Sequence, residues 1–102
     1  MKTKTVTIQI GNSDDKLSQE QWANFVRQIK FIVPGKIHFF ASSAGHEEWQ
    51  NACWVCECLA DEIPDLKKKL AHTARLFSQE SIALTIGETK FVKAPPKDPN
   101  LQ

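Results

Sequence analysis

Two groups of residues in this chain could do chemistry. Asp14 and Asp15 are adjacent, and His46, Glu47 and Glu48 form a second acidic run headed by an imidazole. Carboxylates are the hard oxygen ligands that Mg²⁺ or Mn²⁺ prefers, and a histidine adds nitrogen suited to Mn²⁺. The second group is Cys53-x-x-Cys56-x-Cys58, a spacing that invites zinc or thiol redox chemistry. Beside the acidic runs stand groups suited to binding: the amides of Asn12, Gln50 and Asn51, and the large ring of Trp49.

Whether these residues meet depends on the elements that carry them. The chain has 102 residues, 41% hydrophobic and 25% charged, which suits one globular domain and excludes a disordered or collagenous chain. Thirteen basic residues against twelve acidic ones give a net charge of +1, so no global field favours a phosphate backbone. The first residues alternate polar and apolar, unlike a signal peptide, and no run approaches the ~20 apolar residues of a membrane span. Three cysteines, an odd number, suit a reducing compartment. The expected location is cytoplasmic.

Val6, Ile8 and Ile10 alternate with Thr5, Thr7 and Gln9, which predicts a strand over Lys4 to Ile10 with one buried face. Ser18 with Gln21 has capping-box spacing, and Leu17 with Trp22 suits a hydrophobic staple. Trp22, Phe25, Val26, Ile29, Ile32 and Val33 then define one helical stripe that Pro34-Gly35 stops. Lys36 to Ser42 and Ala52 to Leu59 are short and rich in aromatics and cysteine, as strands are, with a polar hairpin loop between them. A second helix is expected from about Ile63 to Phe77, with Ile63, Leu66, Leu70, Ala74 and Phe77 inward and Lys67 to Lys69 outward. Ser81 to Ile86 reads as the last strand, with extension through Phe91-Val92 open. Residues 1–92 form the expected domain, and the proline-containing 93–102 a flexible tail.

The order β-α-β-β-α-β predicts an α+β fold of ferredoxin-like topology. This is a split β-α-β sandwich, a four-stranded antiparallel sheet with two helices on one face and strand order 4-1-3-2. The term describes topology and implies no iron–sulfur cluster. In this layout three polar segments emerge at one end: 12–15, 46–51 and Ser78-Gln79-Glu80-Ser81. Carboxylates placed there resemble, by layout alone, the two-metal arrangement of polymerase and cyclase palm domains. The hairpin lacks a Gly-Asp-Asp turn, however, and no lysine-bearing phosphate loop is present. The favoured reading is a non-enzymatic binding or regulatory module. Its surface comprises Asn12, Asp14, Asp15, His46, Glu47, Glu48, Trp49, Gln50 and Asn51. The alternative is a divalent-metal-dependent phosphoryl- or nucleotidyl-transfer enzyme using the same carboxylates.

On a strand, Cys56 and Cys58 share a face that Cys53 does not, so a structural role is expected for all three and no cofactor is assigned. The sheet face away from the helices should carry Thr5, Thr7 and Gln9, with His38 and Phe40 from the second strand. Either alternation of the third strand is apolar. Such a face suggests a homodimer through the open sheet, besides a protein or small polar ligand at the loops. Stacking aromatics flanked by basic residues are missing, which argues against RNA.

Overall fold

The computed structural model describes residues 2–12, 16–43 and 50–97. Strand β1 (Thr3–Gly11) leads to helix α1 (Gln19–Ile32), then to strands β2 (Ile37–Ser42) and β3 (Asn51–Leu59). A 3₁₀ turn at Ala60–Glu62 runs into helix α2 (Ile63–Leu76), and β4 (Ala83–Gly87) completes the sheet. The class is α+β: four strands in the order β2-β3-β1-β4, every neighbouring pair antiparallel, with two helices. Counted from the other edge the order is β4-β1-β3-β2.

Local chemistry sets the limits of the helices. The Ser18 hydroxyl accepts from the Gln21 backbone N–H, and the Ser18 backbone N–H donates to Gln21 Oε1 at 2.8 Å, a complete capping box. Leu17 and Trp22 on either side of this cap are both buried in the core. Pro34 and Gly35 end the turn after α1. Gly35 has φ 62°, and a Cβ there would collide with the Glu57 carbonyl oxygen, so both backbone conformation and space require glycine. At the end of α2, Ser78 takes the left-handed conformation with φ 54°. Its N–H donates to Arg75 O and that of Gln79 to Ala74 O, the two bonds of a Schellman ending.

The core lies between one face of the sheet and the helices. Val6, Ile8 and Ile10 of β1 pair with Cys56, Trp54 and Ala52 of β3, and this whole set is buried together with Cys58. Trp22, Phe25 and Ile29 of α1 and Ile63, Leu66 and Leu70 of α2 close over them. Each large side chain so buried stabilises the fold by about 1.5–3 kcal/mol. The helical stripes match those expected, with Lys67 to Lys69 exposed. The pairing settles the alternation that composition left open in β3: Ala52, Trp54, Cys56 and Cys58 face the helices, and Cys53, Val55 and Glu57 face away.

Two expectations are corrected. A β-bulge between Ile37 and Phe39 inserts His38 and reverses the alternation of β2. Phe40 therefore lies opposite Trp54 on the helix side, its ring 5.0 Å from the indole, while Phe39 lies opposite Val55 on the open face. The last strand spans only Ala83–Gly87 and does not reach Phe91-Val92. Beyond it, Glu88 turns to Lys4 at 3.1 Å and the Thr89 hydroxyl bonds that of Thr5.

Candidate functional site

The end of β1 and the start of β3 are fastened by side chains as well as backbone. Asn12 follows β1 and Gln50 precedes β3, with 1% and 2% of their surfaces exposed. The Asn12 backbone N–H donates to Gln50 O at 2.8 Å, and its side-chain amide donates to Gln50 Oε1 at 2.9 Å. The same Asn12 amide spans the connection to α1. It donates to Leu17 O at 3.0 Å and accepts from the Leu17 N–H at 3.0 Å. Gln50 in turn exchanges bonds with the Gln19 side chain at 2.9 and 3.3 Å. Among the described residues no buried side-chain polar atom is left without a partner. A buried amide left unpaired costs about 1–3 kcal/mol, so this network holds together only as a complete set.

Its effect is to fix loop stems. Residues 13–15 leave from Asn12 and return at Lys16, and residues 44–49 leave from Ser43 and return at Gln50. The second stem is closed again by Ser43 N–H to Asn51 O at 2.9 Å and by Asn51 N–H to Ser43 Oγ at 2.7 Å. The third expected segment joins them, because Lys16 lines one shallow hollow with Ser78, Gln79, Glu80 and Ser81. The described parts of all three segments thus share one end of the sheet.

Of the nine candidate residues, Asp14, Asp15, His46, Glu47, Glu48 and Trp49 lie outside the described residues. Asn12 and Gln50 are brought together, but their amides are engaged inside the protein, which makes them positioning residues. Asn51 is exposed at the rim. Sequence reasoning did not assign Gln19 and Leu17 to this end. The only signal for them was their place beside the Ser18 cap.

The cysteines divide as their strand positions require. Cys56 and Cys58 are buried on the core face and Cys53 is half-buried on the other. Burial, with Cys58 as neighbour, pushes the Cys56 thiol up to about 11. Burial also raises the Cys58 thiol, reinforced by the carboxylates of Glu62 and Asp61. Thiols held neutral in this way are poor nucleophiles and poor metal ligands. Among the described residues no three His, Cys, Asp or Glu side chains are grouped to hold a metal ion. None of the described helices is long and apolar enough to cross a membrane. Comparison with protein-family models, curated proteins and solved structures finds no match to this chain.

Proposed function

We propose that this protein is a cytoplasmic, non-enzymatic binding module of ferredoxin-like topology. It engages a protein surface or a small polar ligand through the loop end carried on the Asn12–Gln50 pair. The β4-β1-β3-β2 strand order and the packing of both helices against one core support the topology. The observation that carries the function is the buried amide network. Three polar side chains, Asn12, Gln19 and Gln50, are spent on fixing two loop stems. That investment suits segments that must be presented in a set position. Asp14, Asp15, Glu47 and Glu48 supply negative charge, which favours an amine, a guanidinium or a basic protein surface. Trp49 supplies an apolar anchor and Asn51 hydrogen bonds.

Affinity capture with the intact chain tests this reading when wild type is compared with Asp15→Ala and Trp49→Ala. The expected result is a bound species lost from both variants and retained by Thr85→Lys, a change on the far side of the sheet. Equal retention by all four proteins overturns it. Native mass spectrometry before and after a chelator addresses the metal-dependent alternative, which requires a divalent-ion adduct that the chelator removes.

A further inference from the structure

Strand β2 does not have the surface of an ordinary sheet edge. Its residues are all exposed, and they are apolar on both faces: Ile37 and Phe40 toward the helix side, Phe39 and Ala41 toward the open side. A strand apolar on both faces belongs inside a sheet, whereas edges are usually blunted by lysine, proline or inward charge. The only ionisable group within β2 is His38, and the bulge turns it onto Glu57 at 3.1 Å. The other edge strand, β4, is shorter, and a charged residue flanks each edge, Lys36 before β2 and Glu88 after β4.

The free hydrogen-bonding groups can be assigned. Ser43 N–H bonds Asn51 O, so by the two-residue period Ala41 and Phe39 also direct their backbone groups to β3. Phe40 and Ser42 therefore direct theirs outward.

We propose that β2 pairs antiparallel with β2 of a second copy of this chain, about a two-fold axis at Phe40, joining the two four-stranded sheets into one. The occupant is a second copy because the strand is self-complementary in this register. Phe40 meets Phe40 of the second copy on the helix side, where each ring extends the packing begun by Trp54. Phe39 meets Ala41 of the second copy on the open side. No like charges face each other across the axis. Phe39 and Phe40 expose 56% and 46% of their surfaces. With the rest of the strand, about 400 Å² per copy is available to bury, about half of what a standard specific interface buries and the size of a weak, transient one. The dimer is accordingly weak and concentration-dependent. This inference stands apart from the loop reading, since it requires neither 13–15 nor 44–49.

Sedimentation velocity on the full chain over a dilution series tests it. Wild type is expected to shift from dimer to monomer on dilution. Ser42→Pro, which removes an outward N–H that the monomer does not use, is expected to be monomeric throughout. Thr7→Lys, in the middle of the open face, is expected to dimerise like wild type. Should thermal melting show Ser42→Pro to be poorly folded, Ala41→Asp replaces it and is also expected to be monomeric. A wild type that is monomeric at every concentration overturns the proposal. So does a dimer broken by Thr7→Lys and untouched by Ser42→Pro, which would place the contact on the open sheet face.

Discussion

Asn12 and Gln50 are bonded to each other twice, once through the backbone at 2.8 Å and once through their side-chain amides at 2.9 Å. Because they flank different loops, one pair of residues sets the spacing of both. Asn12→Ala removes this side-chain bond together with both bonds to Leu17, and leaves buried groups unpaired. The expected loss is about 2–4 kcal/mol in denaturant unfolding. Asn51→Ala, at the exposed rim, should lose less than about 1 kcal/mol. A double-mutant cycle of Asn12→Ala with Gln50→Ala should show strong coupling, because the first substitution already removes part of what the second would.

Gly35→Ala is expected to be among the most damaging small substitutions in the chain. The new methyl meets the Glu57 carbonyl where the chain turns into β2, and the residue must still hold φ 62°. A destabilisation of about 3 kcal/mol or more is expected, read as a lower urea midpoint.

Ser78→Gly is expected to do the reverse. Ser78 holds a left-handed conformation at the end of α2, which costs a residue with a Cβ about 1–2 kcal/mol. Glycine removes that strain but adds freedom to the unfolded chain. The net expectation is a gain of about 0.5–1 kcal/mol, visible as a rise in Tm.

The cysteines give a pH-dependent prediction. A thiol whose pKa is raised in the folded state holds its proton more tightly there than in the unfolded chain. The stability this contributes is fully present below the ordinary value of 9.0 and is lost as pH rises through about 11, the folded value of Cys56. Unfolding free energy measured from pH 8 upward should therefore fall across that window, and the fall should be smaller in Cys56→Ala. At neutral pH a thiol reagent should modify half-buried Cys53 first and reach Cys56 and Cys58 only on unfolding.

What could be read from the sequence was what short-range chemistry decides. The start of α1 follows from Ser18 and Gln21 three residues apart, and its buried stripe from the spacing of Trp22, Phe25 and Ile29. The face of β3 could not be read, because Cys53, Val55 and Leu59 are as apolar as Ala52, Trp54 and Cys56, and only pairing with β1 decides between them. The bulge at His38 had no glycine or proline to mark it, yet it exchanges the faces of Phe39 and Phe40. At the candidate site, the expected layout put the described parts of three polar segments at one end. It did not indicate that Asn12 and Gln50, 38 residues apart, would spend their amides on each other.

The bonds of Lys4 to Glu88 and Thr5 to Thr89 hold the first residues of β1 beside the stretch that follows β4. Lys4 and Thr5 stand seven to eight residues before Asn12 along β1, so this corner lies about 25 Å from the other end of the strand. An affinity tag or fluorescent protein fused before Lys2 or after the Glu88–Thr89 stretch would leave from the side opposite the loops. Because the two points are neighbours, a short peptide could join them and new termini could be opened elsewhere. Such a circular permutant would keep the sheet order while changing which crossover is made last.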